Sequence, residues 1–153
     1  MVTATKVAFV LIDPYNDFLH EEGIFAKTVQ ESLKHNDAIK HMKEALNAAR
    51  QHGLPIFYGL HQQWKPGFYN DWHHMTGSNL RQSQVHFFAE GTWGAEIYDG
   101  LQPALESGDV VVSKHWNSKS VKYWNYLRRR VTESSNTARF GTRTWSISFA
   151  SET

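Results

Sequence analysis

Apolar positions fall into three short runs along an otherwise polar chain, and each run reads as a strand. Val7-Ala8-Phe9-Val10-Leu11-Ile12 is apolar at every position and rich in strand formers. An unbroken run of this kind predicts a strand buried on both faces, as in a parallel sheet. It stops at Asp13-Pro14. Between Asn36 and Gln51 the period changes: Ile39, Met42, Leu46 and Ala49 recur at helical spacing, with Asn36 as the expected N-cap and Gly53 and Pro55 as stop signals. Leu54 to Leu60 is the second strand. Strand, helix and strand with short joints predict a right-handed βαβ unit and therefore a parallel sheet. Asp109 to Lys114 holds Val110-Val111-Val112, the third strand.

The connections are less regular. Gln62 to Glu90 is long, polar and aromatic, and a connection of that length in a compact domain is usually functional or partly helical. Gly94 to Leu105 offers a short helix limited by Pro103. After Ser118 the pattern is lost. Val121 to Val131 has helical length but carries Arg128-Arg129-Arg130, and residues from Glu133 onward are rich in Ser, Thr and Arg. Residues 1–118 are therefore read as one domain and 119–153 as a divergent, poorly ordered tail.

Asp13 and Lys114 stand out within this frame, because each follows a strand that should be buried. In a parallel sheet both carboxyl ends reach the same edge, where the active sites of open α/β sheets gather. A carboxylate there can serve as general base toward a thiol, and a neighbouring lysine can keep it ionised and lower the thiol's pKa. Taken alone, each has a plainer reading, since Asp before Pro is a common strand-ending turn residue and a strand-end Lys is usually solvated. Composition narrows the field. With 153 residues and 41% apolar content the chain suits a single core, and its net charge of +1 gives no reason to propose nucleic acid or a membrane surface as partner. Six apolar residues near the N-terminus are too few for a signal-peptide core or a membrane span, so a cytoplasmic protein is expected. There is no cysteine, which excludes disulfides, thiolate metal sites and a cysteine nucleophile. Six Trp and nine Phe serve either a packed core or an aromatic pocket.

At these residues the sequence resembles a known family. Val10-Leu11-Ile12-Asp13-Pro14-Tyr15-Asn16-Asp17-Phe18 is similar to the opening motif of the isochorismatase-like cysteine hydrolases, which include nicotinamidases and N-carbamoylsarcosine amidases. Gly53-Leu54-Pro55-Ile56 looks like the entry to their second strand. Gly91-Thr92-Trp93-Gly94-Ala95-Glu96-Ile97 and Val112-Ser113-Lys114-His115-Trp116-Asn117-Ser118 look like their central motifs. The likeness runs from about residue 6 to 118. It implies an α/β fold, a three-layer αβα sandwich around a parallel sheet, here C-terminally incomplete. It also implies an Asp-Lys-Cys triad acting on a small amide or vinyl ether. Asp13 would be the base and Lys114 the residue that sets the thiol's pKa, with a covalent intermediate hydrolysed by water.

The departures from that pattern are specific. Tyr15 stands where the family often has Gln. Gly59-Leu60-His61 lacks the aspartate of the metal-binding nicotinamidases, and the adjacent His73-His74 do not converge on one ion, so neither metal nor cofactor is expected. Thr137-Ala138-Arg139-Phe140 resembles the helix after the nucleophile, which puts Glu133 where the cysteine belongs. A carboxylate beside Asp13 is a poor substitute, because like charges repel. A change of reading frame or splicing after about Ser118 would account for the break. Tyr15, Phe18, Trp64, Phe68, Tyr69 and Trp93 are the expected substrate-pocket residues. Three readings follow: a family hydrolase lacking its nucleophile and so inactive as written; a non-catalytic small-molecule-binding or homo-oligomer-forming protein; and a flavodoxin-like nucleotide binder. The third needs a Gly-rich loop after the first strand, and Asp13-Pro14-Tyr15-Asn16 is not one.

Overall fold

The computed structural model describes residues 7–113. Three strands, β1 (Phe9–Ile12), β2 (Ile56–Leu60) and β3 (Val110–Ser113), form one parallel sheet in the order β1-β2-β3. Leu11 is level with Tyr58 and Tyr58 with Val111, while Ile12 pairs with Gly59 and Gly59 with Val112. Four helices accompany the sheet: α1 (Asn16–Leu19), α2 (Ala26–His35), α3 (Ala38–Gln51) and α4 (Gly77–Val85). No helix among the described residues is long and apolar enough to cross a membrane.

The alternation of side chains along a strand divides the sheet into two faces. On one, Leu11, Ile56 and Tyr58 pack against Leu46 and Ala49 of α3 and against Leu101, all buried. On the other, Phe57 is buried, and its packed neighbours among the described residues are Ala8, just before β1, and the strand side chains Val10, Val110 and Val112. Expected continuous burial of the first and third strands does not hold throughout: Ile12 is 45% exposed and Val111 38%. Ile12 lies on the second face, and Val111 lies on an outer strand of the described sheet, so among the described residues neither is covered by a further layer.

The turn from α3 into β2 explains why that strand starts later than Leu54. Gly53 adopts φ +61° and donates to the Arg50 carbonyl, and Leu54 donates to the Ala49 carbonyl. This pair of bonds is the Schellman closure of a helix, and its left-handed residue favours glycine. Leu54's N–H is thereby spent on the helix, and Pro55 has none to give. The Pro55 carbonyl accepts from Phe9, so the ladder opens there.

Two sequence expectations are corrected and one helix is added. Asn36 is not the N-cap of the long helix. It closes α2, donating its N–H to the Ser32 carbonyl, and Asp37 in a left-handed conformation (φ 46°) precedes α3. Helix α2 itself was not anticipated: it is amphipathic, but none of its residues is buried and Val29 and Leu33 are its only large apolar residues. The helix expected over Gly94 to Leu105 is only a 3₁₀ turn at Trp93–Ala95 and another at Leu105–Ser107. The backbone between them is used elsewhere: Glu96 accepts from Asn16, Tyr98 donates to Pro14, and Ile97 bridges Tyr15. The long aromatic connection does contain a helix, α4, opened by a reciprocal capping box between Thr76 and Asn79.

Candidate functional site

Asp13 is the first residue beyond β1. Its N–H continues the ladder to the Gly59 carbonyl (3.1 Å), and its own carbonyl accepts from Tyr15 (2.7 Å). That tight turn holds Asp13 at φ 51°, a conformation that aspartate tolerates better than most residues. The side chain is half-buried. At the same sheet edge Ser113 ends β3 level with Leu60. Asp13 and Ser113 thus come to one carboxyl edge on either side of the end of β2. Lys114 and Glu133 lie outside the described residues.

Tyr15 follows the turn and is buried at 1% exposure. Its hydroxyl donates to the His61 carbonyl (3.0 Å), tying the exit of β1 to the exit of β2. Burial pushes the phenol's pKa well up, the negative charge of Asp13 adds to the rise, and a hydrogen bond with the Gln63 side chain opposes it. Tyr15 is therefore a neutral donor beside a carboxylate over the whole physiological range.

Asp17 is buried too, but its carboxylate faces other loops. It accepts from the backbone N–H of Phe88 at 2.7 Å and, at the long distance of 3.5 Å, from that of Ile24. Phe88 has no exposed surface and sits at φ 54°, a conformation that costs a bulky residue roughly 1–3 kcal/mol. Two backbone anchors hold it there: the Asp17 carboxylate on its N–H, and the Trp64 N–H on its carbonyl (2.9 Å). Asp17 is closely packed on its other side. A Cβ added at Gly94 would lie 2.3 Å from one carboxylate oxygen and 2.7 Å from the other. Asn16 completes the clamp, donating from its side chain to the Trp93 carbonyl (2.9 Å).

The result is an aromatic cluster in front of the sheet edge. Phe88 packs on Tyr15 (ring centroids 4.7 Å apart), Phe18 (4.9 Å) and Phe87 (5.0 Å), and Phe18 stacks on Phe25 (4.6 Å). Beside it opens a cavity of about 380 Å³, lined by Phe18, Phe25, His61, Phe87, Phe88 and the α4 residues Gly77, Ser78 and Arg81. Of the six expected pocket residues, Phe18 lines this cavity, and Tyr15 stands behind it against Phe88. The other four are placed differently. Trp64 stacks on His86 at 3.7 Å, and Phe68 packs edge-on against Tyr69 at 4.8 Å. Tyr69 is buried and bonds through its hydroxyl to Gln82, while Trp93 is 44% exposed and meets His20 edge-on. Gln82, wholly buried, also donates to the Gln62 and Phe87 carbonyls, so α4 is pinned to both ends of the long connection. Sequence reasoning missed His61, Arg81 and the Phe87-Phe88 pair. Two adjacent Phe in a polar stretch were the available signal. Among the described residues no three His, Asp or Glu side chains gather as a metal site would require.

Comparison with solved structures finds an N-carbamoylsarcosine amidase from Thermoplasma acidophilum (23% identity, TM-score 0.47), matched over 82% of this chain and 61% of that one. It also finds an isochorismatase from Pseudomonas putida (19% identity, TM-score 0.47), matched over 83% of this chain and 55% of the other. This chain accordingly spans less than two thirds of the length of either. No curated protein matches it. The sequence model of the isochorismatase domain matches residues 7–133, which is well over half of the chain and includes the opening motif, both central motifs and the whole described sheet. On that match, the chain belongs to the isochorismatase domain family.

Proposed function

We propose that this domain takes a small amide or vinyl-ether compound at the carboxyl edge of its sheet and, in the present chain, binds it without hydrolysing it. The observation that carries this reading is a mismatch between the site and the sequence. Asp13 lies at the carboxyl edge of the sheet, where this reading requires a general base, yet none of the 153 residues is a cysteine. In the family's amide chemistry a thiolate attacks the carbonyl carbon, and the bond to the protonated amine breaks as the thioester intermediate forms. Asp13 would take the thiol proton and Lys114 would hold the charge of the pair. Both residues assist a nucleophile, and neither replaces it. Glu133, near the position expected for the cysteine, would add negative charge beside Asp13 instead of a polarisable nucleophile. Tyr15, neutral and hydrogen-bonded to the His61 carbonyl, backs the site from behind Phe88, in the place where the family often has Gln. Phe18 is the aromatic wall, Trp64, Phe68 and Tyr69 pack within the long connection around it, and Trp93 packs on His20.

Loss of the covalent nucleophile costs on the order of 10⁶ in rate in a well-studied protease series. Purified chain assayed against small amides should therefore show no turnover above background. Clear turnover that disappears in Asp13→Ala would overturn the reading, because it would mean that Asp13 serves another nucleophile in this chain.

A further inference from the structure

We propose that two copies of this chain associate about a twofold axis through helices α2 and α3, with α3 of one copy antiparallel to α3 of the other and Lys40 of each copy facing the partner's Glu44. This surface shares no residue with the cavity beside Phe88, and the pairing does not depend on what that cavity binds.

The helices argue for a docking partner. Asn36 and Asp37 join α2 to α3, and a groove of about 670 Å³ lies between these two helices, the end of α1 and Tyr98. Ala26, Val29, Gln30 and Leu33 recur at helical spacing on one side of α2, yet each is only half-buried and no residue of the helix is buried. A surface helix ordinarily packs such a stripe against a core. Helix α3 uses one side for that purpose, sending Leu46 and Ala49 into the sheet core. Its Lys40, Lys43, Glu44 and Asn47, at i, i+3, i+4 and i+7, form a separate stripe roughly 10 Å long on the wall of the groove. Leu19, Leu33 and Ile39 give the same groove an apolar part for a partner to cover.

The charges argue that the partner is a second copy. Lys34, Lys40 and Lys43 line the groove together with Glu21, Asp37 and Glu44, so the two signs balance. An acidic or a basic partner would be repelled by half of them. A second copy brings the same balanced set, and a twofold axis can set each sign against its opposite. Some of the charges are already engaged within the chain. Lys34 reaches Glu21 at 3.9 Å, and Lys43 is held 5.3 Å over the Tyr98 ring and against Gly100, where a Cβ would lie 2.9 Å from its Nζ. Lys40 and Glu44 are exposed, one turn apart, and neither has an opposite charge within ion-pair distance among the described residues. An axis crossing α3 midway between them, at the level of Met42, brings Lys40 against the partner's Glu44 and Glu44 against the partner's Lys40. One contact surface thus forms the same ion pair twice.

The test is sedimentation of the full chain, of Lys40→Glu, of Glu44→Lys, and of the two variants mixed. The unaltered chain should pass from monomer to dimer over about 5–500 µM, the range of a modest interface. Either substitution alone sets two like-charge contacts across the axis and should raise the dimer Kd at least about tenfold. Mixed in equal amounts, the two variants should recover association as a heterodimer, because one then carries acid at both positions and the other carries base. The double variant Lys40→Glu/Glu44→Lys, which exchanges the charges within one chain, should dimerise as the unaltered chain does. A chain that stays monomeric throughout that range would leave the groove to a different partner and overturn the pairing. Dimerisation unaffected by either substitution, or a mixture and a double variant that associate no better than the single variants, would overturn it as well.

Discussion

The contact between Asp17 and Gly94 gives the sharpest test of how the site is built. Asp17→Ala removes the acceptor of the Phe88 N–H, a 2.7 Å bond to a charged group, and of the Ile24 N–H, which at 3.5 Å contributes little. Phe88 is fully buried, so its N–H is left without that acceptor and without water. An unsatisfied buried donor costs about 1–3 kcal/mol, and part of this returns if Phe88 relaxes from φ 54°. A net loss of about 2 kcal/mol is expected. Gly94→Ala acts through the same carboxylate from the other side. Its new methyl would lie 2.3 Å from one Asp17 oxygen and 2.6 Å from the carboxyl carbon, and the carboxylate cannot yield without stretching its bond to Phe88. Overpacking of this kind costs about 1–3 kcal/mol. In the double variant the carboxylate is gone and the methyl occupies the vacated space, so the second cost vanishes and the total returns to that of Asp17→Ala. The two changes should therefore couple by about 1–3 kcal/mol. Any gain from restricting the unfolded chain by Gly→Ala enters the single and the double variant alike and cancels in the cycle. Urea unfolding followed by tryptophan fluorescence, with the slope checked for constancy, provides the four free energies. Additivity to within about 0.5 kcal/mol would show that the two residues act independently and would refute the clamp.

Two further outcomes follow from the fold itself. The Tyr58 hydroxyl is buried, donates to the Leu101 carbonyl (2.9 Å), and has its pKa pushed up to about 12, mainly by burial. A folded-state pKa above the unfolded value stabilises the neutral form, so that stability is fully present below about pH 10 and is lost as the pH rises toward 12. Unfolding free energy should fall across that window, and Tyr58→Phe should flatten part of the decline; an unchanged slope would remove Tyr58 from the account. Gly53→Ala meets no atom within 4 Å but places a side chain at φ +61°, so it should cost about 1 kcal/mol from backbone conformation alone, read as a lower urea midpoint.

Much of the frame was legible along the chain because it depends on near neighbours. Three apolar runs announced three parallel strands, Gly53 and Pro55 marked the end of α3, and the ordered motifs around Asp13, Gly94 and Val112 identified the family. The absence of cysteine is likewise a property of the sequence, and no arrangement of the chain can supply a thiol. What the tertiary structure decided is where the polar and aromatic groups of the long connection go. Asp17 reads as one more residue of the opening motif, yet it bonds to Phe88, seventy-one positions away. Tyr69 reads as a pocket aromatic, but its hydroxyl is spent on Gln82. Arg81 drew no reading from the sequence, and only the packing of α4 puts it over Phe25 among the residues that line a cavity. Hydrophobic period reports which side of an element is buried. It carries no information on which distant donor meets which acceptor, and those long-range pairings build this site.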